Sequence, residues 1–404
     1  MVSTGETAGV VPEKRQLAAP ETGISIRAGL GGRSNALNFI RLLLAAAVIV
    51  SHAFPLGGLG EDPFFTLFRG QENLGGVAVI GFFAISGYLI TRSGMQKDIV
   101  QYLWARALRI FPAFWLVLLV AAAMVGPALW LVEGRALDDY VSRASDGPVA
   151  YLLENGGLRI GQWGIYDLLT GTPYGQVAGS VFNGSLWTLI YEWNCYLLIG
   201  ALVIFGSLNR TRFAVPILTA VVFSLQVARF AAPDTLGALV PWFADPLQIN
   251  LAMAFLWGAC IAMYADRILV DDRIGLMCGF VVVFTLLQGG FALIGFPAFA
   301  YVLFWLAIRL PARVKKIGAV NDYSYGVYLY GFLVQQVLAY AGVYEFGYVP
   351  YTVSALVITF ALAWLSWHAL EKRALMLKDW GPGRGIRWWY DRARRLVTTR
   401  RKTQ

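Results

Sequence analysis

The sequence is short of charge, of histidine and of cysteine. Only 14% of its 404 residues are Asp, Glu, Lys or Arg, where a soluble domain has roughly a quarter. That shortage argues against a water-soluble globular enzyme, and a hydrophobic content of 58% points to a chain that crosses a membrane repeatedly. His52 and His368 are the only histidines, so a histidine-rich metal centre is not expected. Cys195, Cys260 and Cys278 lie in apolar runs with no paired spacing, which suggests neither a disulfide framework nor a thiolate metal site. Residues 1–35 are polar, rich in Gly and Ala, and lack the apolar core of a signal peptide; they are expected to form a loose cytoplasmic arm. No internal repeat or low-complexity tract interrupts the chain.

What the chain does have is long apolar runs. A span needs about 20 predominantly apolar residues. The candidates are 36–56, 75–93, 107–132, 185–206, 213–232, 247–265, 274–289, 291–309, 323–343 and 350–370. The seventh and eighth are divided only by QGGF at 288–291. The reading is an all-α, polytopic transmembrane helical bundle of about ten spans. It comprises a membrane domain over 36–371 and a basic tail over 372–404.

Loop charge sets the expected orientation, because Lys and Arg concentrate on the cytoplasmic side. Loop 55–74 carries Glu61, Asp62 and Glu72 against Arg69, whereas 92–109 carries Arg92, Lys97, Arg106 and Arg109 against Asp98. The long loop 133–184 has six acids and three arginines; SLNRTR at 207–212 is basic, as is the segment from Arg309 to Lys316. Residues 371–404 hold eleven basic and three acidic side chains. These signs alternate as both termini in the cytoplasm require, with a mild exception at 266–273. The tail, with Trp388 and Trp389 among its arginines, suits the anionic inner leaflet of the lipid bilayer better than nucleic acid.

Ionisable residues inside spans cost roughly 2.5–3.5 kcal/mol on insertion scales and mark function by default. In NFIRLLLAAAVIVSHAFPL (38–56), Arg41 and His52 are eleven residues apart. That is close to three helical turns, so they share a face about 16 Å apart along the axis. Arg41 falls near the inner end and His52 near the outer end. Arg41 can also snorkel, and His52 can be an interhelical hydrogen-bonder. A neutral imidazole can remove a hydroxyl proton near neutral pH. Arg106 and Arg109, at i and i+3, can grip a phosphate; the alternative is a positive-inside anchor. Glu192, inside the outer end of the fourth span, needs a partner and sits at a depth comparable to His52, where it would orient the imidazole; another polar group can serve as that partner. Gly75, Gly76, Gly81 and Gly87 allow close helix packing. Ser86, Tyr191 and Asn194 are candidate substrate contacts.

These segments together resemble acyltransferase family 3, a family of integral-membrane O-acyltransferases of bacterial surface glycans. The likeness rests on Arg41 and His52, on GVAVIGFFAISGYLIT, on RALR (106–109), on SLWTLIYEWNCYLL, on DYSYGVYLYGFLVQQ (322–336) and on WHALEKR (367–373), in that order along 35–375. The chain departs from the family's common pattern in the ninth span, where Tyr330 and Gly331 stand in place of a histidine. No esterase-like domain follows, which implies transfer by the membrane unit or with a separate partner.

The resemblance implies movement of an acyl group, most often acetyl, from cytoplasmic acyl-CoA (acetyl-CoA) to a hydroxyl of an extracytoplasmic or lipid-linked glycan, in a multi-pass protein of the bacterial inner membrane. Arg41, Arg106 and Arg109 would hold the donor, and His52 would act as general base with Glu192. No metal is expected. Direct transfer is preferred to an acyl-enzyme on Ser51 or Ser86. The acyl chain, the acceptor glycan and the oligomeric state stay open at this level. A transporter or flippase of a lipid-linked glycan is the alternative, and a silent scaffold a weaker third. His368 is read as an interfacial or capping residue, and Tyr325 and Tyr330 as packing residues.

Overall fold

A computed structural model describes residues 23–32, 34–141, 145–231 and 245–402. The chain is all-α; among the described residues the extended backbone amounts to one isolated bridge, Ser25 to Leu269. Ten long helices follow in order. They are α1 Leu37–Leu56, α2 Leu74–Gly94, α3 Ile99–Val132, α4 Gly184–Ile204, α5 Ala214–Ala231, α6 Pro246–Met263, α7 Asp272–Gln288, α8 Phe291–Arg309, α9 Ser324–Tyr340 and α10 Tyr348–Asp379. Seven of them (α1, α2, α3, α4, α6, α8 and α10) are long and apolar enough to cross a membrane. The other three coincide with the remaining apolar runs but are shorter or less apolar over a full window.

Polar caps decide where the helices begin. Asp98 starts α3 by accepting from the Val100 and Gln101 amides at 3.0 Å, while the Gln101 side chain accepts from the Asp98 amide at 3.3 Å. This reciprocal cap satisfies amides that the helix leaves unpaired. Asn73, Asp245 and Asp271 cap α2, α6 and α7 in the simpler way. Between α7 and α8 the chain turns through Gly289 and Gly290, at φ 109° and 90°, a region open to glycine without strain. Gln71 fastens that turn, donating to the Thr285 and Leu286 carbonyls and accepting from the Phe291 amide.

Backbone contact between α2 and α6 holds the middle of the bundle. A Cβ on Gly87 would lie 1.8 Å from the Phe255 carbonyl oxygen, and one on Gly258 would lie 1.8 Å from that of Ala84. The two glycines therefore let the helices touch through main chain, the usual route to tight packing where no hydrophobic drive exists between helices. Gly258→Val is expected to cost more than the 1–3 kcal/mol or so typical of overpacking, since main chain must shift. A thermal melt of the purified chain in detergent checks this; an unchanged midpoint would contradict the packing argument.

Part of the segment read as a loose arm is packed. Ile26 is fully buried, its amide donates to the Ile268 carbonyl at 2.9 Å, and Arg27 pairs with Asp266. The rest of that reading, residues 1–22 and 33, lies outside the described residues. At the other terminus, residues 377–386 lie along the start of α3. The Trp104 indole donates to the Leu377 carbonyl at 2.9 Å, and the Ile386 amide donates to Asp98 at 2.9 Å. A helix, α11 Gly385–Lys402, follows, with the Arg384 guanidinium 4.3 Å over the Trp388 ring.

Candidate active site

Two groups of polar residues lie at opposite ends of the bundle. The first fills a cavity between α1, α2, α3, α4 and α9, lined by Arg41, Arg106, Arg109, Ser86, Glu192 and Tyr196, with Tyr325, Tyr328, Val79 and Phe82 among the apolar and aromatic walls. All three predicted donor-site arginines thus meet in one place, with Ser86 and Glu192.

Asp322 organises this cavity, and sequence reasoning did not single it out. Its Oδ2 accepts from both Arg41 and Arg109, the latter at 2.7 Å, and its Oδ1 accepts from the Ser324 amide and hydroxyl. Burial by itself would raise the Asp322 carboxyl. The two guanidiniums and the Ser324 hydrogen bonds overcome that and hold it well below the usual carboxylate range. Arg109 also lies 5.3 Å over the Tyr325 ring. Each guanidinium carries five N–H groups, so one bond apiece to Asp322 fixes its plane and leaves further donors for a ligand. The available signal was an acid directly before an apolar span whose neighbours hold unpaired arginines.

Arg106 behaves differently from its i+3 neighbour. Its guanidinium is 6.0 Å from the Tyr196 ring centre, and its Nε is buried without a hydrogen-bond partner. A buried N–H of a cation left unmet is costly unless something else fills its acceptor position. The site therefore suits an anionic ligand.

Glu192 is where the structure differs most from expectation. Its carboxylate accepts from the Tyr196 hydroxyl one turn along the same helix and from Ser86 Oγ at 3.3 Å. No hydrogen bond joins it to His52 among the described residues. The expected His–Glu pair is therefore absent, because a tyrosine at i+4 and a serine on α2 capture the carboxylate first. Tyr191 and Asn194 also turn elsewhere. They bond Asp245 and Gln248 of the α6 start, the latter at 3.0 Å, and line none of the cavities described here.

The second group surrounds His52, whose ring meets Phe332 edge-on at 5.5 Å. His52 opens onto two cavities. One holds the polar groups Glu72, Asn73, Ser185 and Asn250 beside Trp187 and among aliphatic walls that include Val48, Ile80 and Leu251. The other is aromatic, with Trp163, Tyr174, Trp187 and Phe332. The next residue back, Ser51, donates to Asp62, which also caps the Phe64 and Leu74 amides and so ties the intervening loop to both α1 and α2. Burial pushes the Glu72 carboxyl up to about 7. Its neutral form, which can donate a hydrogen bond, is therefore more accessible than that of an ordinary carboxylate.

Val79 and Tyr328 line both the arginine cavity and the polar His52 cavity. The Tyr328 hydroxyl donates to the Ser185 carbonyl at 2.7 Å and bonds the Thr188 hydroxyl, which pins it between the two chambers. These two side chains are the ones that the arginine cavity and the polar His52 cavity share. The remaining histidine, His368, meets the Trp364 ring at a tilt, 4.5 Å between centres, with Nδ1 at 2.9 Å from that residue's carbonyl. Among the described residues no cluster of His, Cys, Asp and Glu has the makings of a metal site.

Comparison with known proteins gives this geometry a family. The chain is 30% identical over 347 residues to an O-acetyl transferase of Shigella phage Sf6, covering 85% of this chain and 96% of that protein. It is 28% identical over 364 residues to nodulation protein 10 of Rhizobium leguminosarum bv. viciae, covering 86% and 95%. No solved structure matches. The model of an acyltransferase domain matches residues 34–368, nearly the whole helical bundle, and the chain belongs to acyltransferase family 3.

Proposed function

We propose that this membrane acyltransferase is an O-acetyltransferase that takes its acyl group from cytoplasmic acyl-CoA and delivers it to a glycan hydroxyl arriving from the opposite side of the inner membrane. The observation that carries the reading is the partition formed by Val79 and Tyr328. It has a cation-rich chamber on one face and the His52 imidazole on the other. The printed name of the phage relative supports acetyl as the group moved.

In this reading the arginine end faces the cytoplasm, as loop charge predicts. Arg41, Arg106 and Arg109 hold the phosphates of the donor, and the unmet Arg106 Nε is one contact awaiting an anion. The thioester reaches toward Tyr328. His52 accepts the proton of the acceptor hydroxyl as its oxygen attacks the thioester carbonyl; a C–O bond forms and the C–S bond breaks. The leaving thiolate takes the proton from the imidazolium, so that an ester and free CoA thiol result and His52 returns to its neutral form. Glu192, held by Tyr196 and Ser86, belongs to the donor chamber rather than to the base.

The test is to plug the partition. Val79→Trp is expected to reduce transfer of radiolabelled acetyl by about 100-fold, the scale on which misplaced reactants lose rate. CoA should still raise the melting temperature of that variant, because the arginines are untouched. Wild-type transfer by Val79→Trp would overturn the two-chamber reading.

A further inference from the structure

The two cavities at His52 differ in lining, one combining polar groups with aliphatic walls and the other mainly aromatic, and they share two side chains. His52 and Trp187 line both. On one side stand Glu72, Asn73, Asn250 and Ser185. The Ser185 hydroxyl is buried, at 2% exposure, and has no hydrogen-bond partner. Glu72 is held over the first turn of α2: a Cβ on Gly76 would meet its Oε2 at 2.1 Å, so glycine there makes room for the carboxyl. On the other side the walls are rings: Trp163, Tyr174, Trp187 and Phe332, with Trp163 43% exposed at the mouth.

The aromatic cavity is held by main chain and not by chance contacts. The Phe182 amide donates to the Trp163 carbonyl at 2.9 Å. Gln336 of α9 donates to the Val181 carbonyl at 2.7 Å, and Asn183 donates to that of Leu329 at 2.8 Å. The backbone at Trp163 and the segment leading into Trp187 at the start of α4 are thus tied to one another and to α9.

Resting on the function proposed above, we infer that the acceptor is bound as at least two sugar rings astride His52, one ring lying against the aromatic wall and the next presenting its hydroxyls to Glu72, Asn250 and Ser185. A pyranose has apolar C–H faces and a polar rim. Faces pack on indole and phenol rings, which bring large contact area at little entropic cost. The rim needs several convergent hydrogen-bonding groups, and a buried unpaired hydroxyl is such a group. One ring fills one cavity; only a linked pair fills both while leaving a hydroxyl at the imidazole between them. Glu72 acts as an acceptor-positioning residue, and Trp187, shared by both cavities, sets the angle between the rings.

The experiment uses the full chain in lipid nanodiscs with acetyl-CoA. Its acceptors are size-fractionated mono-, di- and trisaccharides made by partial hydrolysis of the de-O-acetylated surface polysaccharide of the encoding cell. Thioester hydrolysis to water is measured in the same samples to correct for folded protein. The disaccharide is expected to be acetylated with a kcat/KM about tenfold or more above the monosaccharide. Trp187→Ala should erase that advantage of length. Glu72→Ala should raise the acceptor KM about tenfold with a smaller change in kcat, and Glu72→Gln should restore most of the loss. Equal use of mono- and disaccharide, an undiminished length advantage in Trp187→Ala, or no acetylation of any fraction overturns the two-ring site. Failure of the underlying reading looks different, since His52→Ala would then keep the hydrolysis that wild type shows.

Discussion

Asp322→Ala is expected to lower the stability of the purified chain by about 1–3 kcal/mol, below the range for removing one partner of a fully buried ion pair because these side chains keep some exposure. Two guanidiniums, Arg41 and Arg109, converge on this carboxylate, so its loss strands two partly buried cations and not one. Asp322→Asn should cost less, because its one amide oxygen still accepts from the arginines, although its NH2 cannot accept the Ser324 hydrogen bonds. Thermal unfolding in detergent checks the order wild type, Asn, Ala; an Ala variant that melts with wild type would remove Asp322 from its organising role. The pH dependence follows from sign. The carboxyl is depressed in the folded protein, so its contribution is fully present above the unfolded value near 4. It fades only as pH falls below that toward the lower folded value. From pH 8 to about 5 the melting temperature should therefore carry no step from this group.

His52→Ala is expected to reduce acetyl transfer by about 10²–10⁴-fold, the usual contribution of a positioned general base. His52 lines two cavities, one of which shares Val79 and Tyr328 with the arginine cavity. Its removal should leave CoA-induced thermal stabilisation near wild type, which separates a lost base from a lost donor site. Glu192→Gln should have a different signature, weakening use of the donor, since its carboxylate faces the arginine chamber. Wild-type transfer by His52→Ala would exclude the imidazole as base, whatever else the fold retains.

Most of the helices could be read from hydrophobic runs. The run 36–56 is the helix Leu37–Leu56, and QGGF is the break between α7 and α8. Two ends were missed for identifiable reasons. The third helix begins at Ile99 and not near 107, because the Asp98 and Gln101 cap lets a helix start in a polar stretch that hydropathy counts as loop. The tenth continues to Asp379 through a π-bulge at Trp367–Glu371, which hydropathy does not register.

The site divides in the same way. Arg41 and His52 share a helix face by periodicity alone, and Arg106 and Arg109 reach one cavity as their spacing suggests. Pairing across helices was not legible. Glu192 and His52 lie at similar depth, but depth does not say which way a helix is rotated. Rotation is set by contacts such as the Gly87 and Gly258 crossing and the tyrosine hydroxyls that bond from α3 and α9 to α4.

By itself the sequence determined that the chain is a membrane bundle, where its apolar segments lie, and which residues bear a charge too costly to be accidental. Those are properties of single segments, fixed by length, hydropathy and the 3.6-residue turn. The tertiary structure alone decided that Asp322 joins the two arginines, that Glu192 goes to Tyr196 and Ser86, and that His52 opens onto a polar and an aromatic cavity. Each of these depends on which faces of separate helices meet, and that is settled by close packing between segments far apart in the chain.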